Sequence, residues 1–189
     1  QLQHFWHMQG RVETALYRGD GQGAWEVVSD SWGPLKRSFL LEDQIIRIVS
    51  FNLRGRAALA AVAESESFFE RTWLRHVARS TIRKLDSERT PWSEPLAAMQ
   101  KAQLEHLTGE HAASLELLEE AQRGFERRDM AFYAAAARRR RGELMGGEKG
   151  DQLIEAAEAW MHEATIENPA RMSAVATGAR FGRRPMLPE

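Results

Sequence analysis

Two Glu-His dipeptides stand on either side of one glycine: Glu105-His106 and Glu110-His111 flank Gly109. Imidazole and carboxylate donors gathered in this way could hold a divalent cation. The spacing argues against it, because five residues put two side chains well apart on a helix, and the His-Glu-x-x-His arrangement of zinc proteases is absent. His4 and His7 lie one helical turn apart and could share a face. Surface or partly packed histidines are the better reading, and no metal site is expected. The chain has no cysteine, which excludes disulfides, thiolate catalysis and cysteine-based zinc sites. A Gly-rich phosphate loop with its lysine and a His-Arg-Asp catalytic loop are also missing. The expectation is a chain with no catalytic residues and no cofactor.

A second candidate is the run Arg138-Arg139-Arg140-Arg141. Four consecutive helical residues sweep about 300°, so they cannot form one basic stripe. At least one must turn inward and find a carboxylate, for which Glu143, Glu119, Glu120 and Glu155 are available. A solvated face with one or two salt bridges fits better than a phosphate or RNA site.

The third candidate is more telling. Ile45, Val49, Asn52, Arg56, Leu59 and Ala63 step by 4, 3, 4, 3 and 4, which places all six on one helical stripe. Asn52 and Arg56 thus interrupt an otherwise apolar face. A buried arginine without a partner is costly, so Arg56 must pair or look into a wet groove. Asn52 and Arg56 are therefore the candidate partner-binding residues, with a structural Asn/Arg network between helices as the competing reading.

The elements that must position these residues are all helical. Apolar periodicity gives eight helices in four pairs, and no stretch alternates for long enough to be a strand. The first runs over 2–18 and stops at Gly19-Asp20-Gly21. The second starts near Gln22 and carries Trp25, Val28, Trp32 and Leu35, with Pro34 expected to kink or end it. The third covers 41–63, and Ser65 is the expected N-cap of the fourth. The fifth and sixth, over 92–107 and 111–128, join at Thr108-Gly109-Glu110; the seventh covers 129–145 and the eighth 151–165. Asn168-Pro169 reads as a cap and first-turn proline that open a short terminal helix. Six tryptophans are generous for 189 residues, and their expected use is as plugs between helices, as for Phe125.

A helix pair of about 40 residues cannot bury its own apolar face and must stack on neighbours. The expected fold is all-α: a right-handed antiparallel helix-pair solenoid over 1–177 with a loose basic Gly/Arg/Pro tail over 178–189. One compact multi-helix bundle is the alternative. Lys plus Arg (26) and Asp plus Glu (27) nearly cancel, so no nucleic-acid partner is expected. No apolar run approaches the roughly 20 residues that span a bilayer, so no membrane partner is expected either. The chain opens with Gln1 rather than Met, and reads as a segment of a larger protein or a processed product.

The pattern resembles tetratricopeptide repeats: Gly109, Ala113, Ala121 and Phe125 look like one degenerate copy, and Gly19, Ala24, Val28 and Trp32 like another. It also resembles the C-terminal repeat region of large bacterial serine/threonine kinases that carry an ATPase module. The stretches that carry this likeness are Leu16-Tyr17-Arg18-Gly19-Asp20, Ala24-Trp25 with Trp32, Arg47, and Leu53-Arg54-Gly55-Arg56-Ala57-Ala58-Leu59. Ala159-Trp160-Met161 and Asn168-Pro169-Ala170-Arg171-Met172 look like the family's closing motif, whereas 178–189 departs from it. The resemblance implies a cytoplasmic bacterial signalling protein whose C-terminal helical repeats bind a protein, a peptide or another domain of the same chain. The alternative function is small-molecule sensing by a helical domain with an internal aromatic pocket.

Overall fold

The computed structural model describes residues 2–179, and every regular element among them is helical. The order is α1 (Leu2–Arg18), α2 (Gly21–Arg37), a one-turn 3-10 helix (Leu40–Glu42), α3 (Gln44–Glu64), α4 (Phe68–Ser87), α5 (Ser93–Thr108), α6 (His111–Glu126), α7 (Ala131–Met145), α8 (Gly147–Glu163) and α9 (Pro169–Thr177). The starts are set by side-chain acceptors. Asp20 takes the N–H of Gly23 at 2.7 Å, Asp43 that of Ile46 at 3.0 Å, and Asn168 that of Arg171 at 3.0 Å. Glu64, the last residue of α3, accepts from the N–H groups of Gly21 (2.8 and 2.9 Å) and Gln22 (3.1 Å). Its charge thus meets the positive end of α2, and one carboxylate ties two helices together. Only a glycine can stand at 21, since a Cβ there would lie 2.6 Å from the backbone of Ala60.

Several boundaries differ from the sequence expectation: the third helix begins at Gln44 rather than 41, the sixth ends at Glu126 and the seventh begins at Ala131. Pro34 does not end α2, which continues to Arg37. The proline and Asp30, whose carbonyl loses a helical donor, are both exposed, so water can replace the bond. Ser65 is not the cap of α4: its N–H closes α3 on the Ala61 carbonyl (2.9 Å), and Ser67 caps α4 instead. The eighth helix begins a turn earlier than 151, at Gly147.

From α1 to α8 each helix packs on the next. The apolar interior forms two main clusters. One is built from α1 to α4, with Phe5, Val12, Trp25, Leu53, Leu59 and Leu74 at its centre. The other is built from α5 to α8 and the start of α3, with Ile48, Met99, Phe125 and Met161. Phe125 is fully buried and stacks on Tyr133 at 5.2 Å. The tryptophans are not all plugs. Trp25 is buried, but Trp6 and Trp73 are 56% and 51% exposed. Among the described residues no helix is long and apolar enough to cross a membrane.

The final helix breaks the order. After α8, α9 packs on α7 and α1 and also reaches α3 and α5. Val175 joins the first apolar cluster, and its neighbour Ala176 joins the second.

Candidate functional site: the odd-helix face and its resident helix

Helix α9 packs on α1, α3, α5 and α7, whose covered side is called the odd-helix face. Of the stripe proposed from sequence, Asn52 and Arg56 are covered, whereas Ile45 is 66% exposed. Asn52 and Arg56 are 6% and 2% exposed. The Asn52 side-chain oxygen accepts a hydrogen bond from Gln100 of α5 at 2.8 Å. The Arg56 guanidinium donates to the Val175 carbonyl of α9 at 2.6 Å and lies 3.5 Å from Glu13 of α1. These two residues thus connect α3 to α1, α5 and α9, and the structure assigns them to a network within the chain.

The face also uses residues that sequence reasoning missed. Gln100 and Gln103 lie one turn apart on α5, both buried among Ala and Leu side chains. The signal was available: polar residues three apart in an Ala-rich helix repeat the pattern of Asn52 and Arg56. Arg140 of α7 is the inward member of the arginine run. It is 1% exposed, donates from Nε to the Thr177 hydroxyl at 3.2 Å and pairs with Glu143. The other three are also paired: Arg138 with Glu126, Arg139 with Glu143 and Glu158, and Arg141 with Glu119 and Gln122. The run is therefore no solvated stripe. It knits α7 to α6, α8 and α9.

Two buried guanidinium groups thus converge on the C-terminal turn of α9. The last four carbonyls of a helix have no intrahelical donor, and the macrodipole makes this end negative. Arg56 satisfies one of those carbonyls, and the Gly178 N–H satisfies the Ala174 carbonyl at 2.8 Å. Gly178 caps α9 at φ 90° and lies so close to α3 that a Cβ would stand 2.5 Å from the Arg56 carbonyl oxygen. At the other edge, the Arg171 guanidinium lies 5.7 Å from the Tyr17 ring of α1. The C-terminal half of α9 is made of small residues and is buried all round: Ser173, Ala174, Val175, Ala176 and Thr177 are all buried. Gly178 and Ala179, expected in a loose tail, belong to this cap; the rest of that tail, 180–189, lies outside the described residues.

Not every polar atom of the face finds a partner. Gln103, fully buried, has neither amide atom in a hydrogen bond, and Arg56 Nε and Gln100 Oε1 also lack one. Each such atom costs about 1–3 kcal/mol.

His106 and His111 approach to 5.3 Å between ring centroids, but no group of three or more His, Cys, Asp or Glu that could hold a metal occurs among the described residues. Burial pushes the His106 imidazole below the ordinary 6.5; His111 and Arg140 act in the same direction, and Glu143 opposes them. The unfolded chain therefore holds more protons than the folded one just below pH 6.5, and stability should fall as pH drops from neutral through this window. His106→Gln should flatten that segment in melts recorded across pH. The acid limb below about 4.5 should remain, because Arg47 holds Glu88 down and Gln122 holds Glu126 down. An unchanged segment in the variant would contradict the assignment.

Two clefts, of about 660 and 560 Å³, run between α1 and α2 and open outward. Trp6 borders one and Phe5 the other, among many polar groups. Compared with known proteins, the chain matches no family model, no curated protein and no solved structure.

Proposed function

We propose that this chain is a non-catalytic helical-repeat interaction and regulatory module. In this reading its helix pairs form a right-handed tetratricopeptide-like solenoid. The module belongs to a cytoplasmic bacterial signalling protein of the kinase and ATPase type, and its working surface is the odd-helix face. The observation that carries the proposal is the way α9 sits there. It leaves the order of consecutive packing and lies across α1, α3, α5 and α7, with its C-terminal turn held by Arg56 and Arg140. A groove that receives a helix of its own chain has the shape and anchors to receive a helix from elsewhere.

The energetics suit exchange. Each buried methyl-sized group contributes about 0.8 kcal/mol, and a buried valine about 1.5–3. The buried part of α9 offers one proline, one valine, two alanines, a serine, a threonine and a few hydrogen bonds. Its hold is thus of the order of the 8 kcal/mol that a micromolar partner supplies. Arg56, already anchored to α9 through another nitrogen, keeps Nε for a bond that a competing segment could accept. The partner is a protein, a peptide or another domain of the parent chain that presents a helix with small side chains and an uncapped C-terminal turn.

A labelled peptide of residues 167–179 tests this. The native chain, its groove filled, should bind the peptide weakly or not at all. The full chain carrying Gly178→Val, in which α9 is pushed off, should bind it saturably, and adding Arg56→Met should weaken that binding by about tenfold. A Gly178→Val chain that remains helical, is cut readily before Asn168, and still ignores the peptide would rule the groove out as a receptor.

A further inference from the structure

The opposite side of α3 carries a second arrangement. Arg47, Phe51 and Arg54 step by 4 and 3 along it, between α2 on one side and α4 on the other. Arg47 is neutralised by Glu88 at 2.5 and 2.7 Å. Arg54 is not. Its guanidinium lies 4.2 Å from the Trp32 ring centroid and 5.4 Å from that of Trp25. It is half-buried and lies against these two indoles. Burial without a carboxylate pulls its pKa down.

This guanidinium forms one wall of a cleft of about 130 Å³ that Trp32, Phe51, His76, Ser80 and Lys84 complete. The Lys84 ammonium lies 5.8 Å from the Phe51 ring centroid. Among the described residues no carboxylate lines the cleft. Three buried arginines of this chain meet acids, Arg56 with Glu13 and Arg139 and Arg140 with Glu143, whereas Arg75, half-buried like Arg54, donates to the Leu107 carbonyl. The cleft thus gathers two cations with no acid in its lining, in a chain whose charges balance to −1.

We propose that this cleft binds the phosphoryl group of a small aromatic phosphomonoester. The two indoles fix the plane of Arg54 and leave its N–H edges for oxygen, the fork geometry that suits phosphate. Lys84 adds a second positive charge, and Ser80 adds a hydroxyl. A phosphomonoester carries about −1.5 to −2 charges near neutral pH, which matches the two cations of the cleft better than a single carboxylate does. The volume admits several water-sized groups, enough for the phosphoryl group and the start of what carries it. Phe51 and the rim of Trp32 offer ring surfaces to an aromatic carrier.

Phenyl phosphate is the probe, titrated into the full chain and followed by tryptophan fluorescence, with phenol as the control. Saturable binding of phenyl phosphate, none of phenol at the same concentrations, and weakening by added salt are expected. Arg54→Met should reduce affinity by about tenfold or more, and the exposed Lys84→Met by about threefold. Lys84→Met keeps the test open if loss of the Arg54 clamp disturbs packing, which thermal melts of both variants would show. Absence of saturable binding, equal binding of phenol, or unchanged affinity in a folded Lys84→Met chain would each overturn the proposal and leave Arg54 as a packing clamp.

Discussion

Phe125→Ala should lower the unfolding free energy by about 3–5 kcal/mol, the range for removing a large aromatic ring from a packed core. The ring is fully buried near the end of α6, stacks on Tyr133 of α7, and belongs to the cluster shared by α5, α6, α7 and α8. Rigid neighbours on several helices cannot all move into the space, so both the transfer and the cavity contributions are felt. Trp160 is the comparison. Sequence reasoning gives it the same role, but it is only partly buried at the edge of that cluster, so Trp160→Ala should cost clearly less. Equal shifts in denaturant midpoint for the two variants, or none for Phe125→Ala, would show that the interior is not organised around Phe125.

What the sequence reveals of this fold is mainly its punctuation. Gly19 and Gly109 take positive φ between the helices of a pair, and the Asn168-Pro169 opening of α9 is found as its chemistry demands. Some misplaced boundaries are those at which two local signals compete. Ser65 and Ser67 are both good caps, and only the Ala61 carbonyl and the position of Glu70 decide between them. Pro34 is a helix breaker by rule, but an exposed one near the end of a helix costs little.

The candidate site was half legible for a related reason. Asn52 and Arg56 stand out because polar groups interrupt an apolar stripe, which is a local pattern. Their partners are not local. Arg56 meets Val175 across 119 residues, and α9 docks through Ser, Ala and Thr side chains that give no strong periodic signal. The arginine run said that one member must turn inward. Which one it is depends on where Thr177 and Glu143 lie, and Arg140 alone reaches both.

Gly178→Val should then be the most disruptive change at the site itself, lowering stability by about 3 kcal/mol or more. Two effects act together. The residue sits at φ 90°, which a β-branched side chain resists, and its Cβ would meet the Arg56 carbonyl oxygen at 2.5 Å and the Arg56 Cα at 2.9 Å. Those atoms are backbone in the interior of α3, which no rotamer change can clear, so α9 must move. Arg56→Met acts on the same contact from the other side, without the clash. It removes the donor to Val175, whereas Glu13, with its side chain 40% exposed, can turn to water. The expected loss is therefore smaller, about 1–3 kcal/mol. Both variants should speed proteolytic cleavage in residues 164–168, the link before α9, and Gly178→Val should do so more. A Gly178→Val chain with a native denaturant midpoint and native cleavage rate would mean that α9 does not rest on α3, and the reading of the odd-helix face as a filled groove would fall with it.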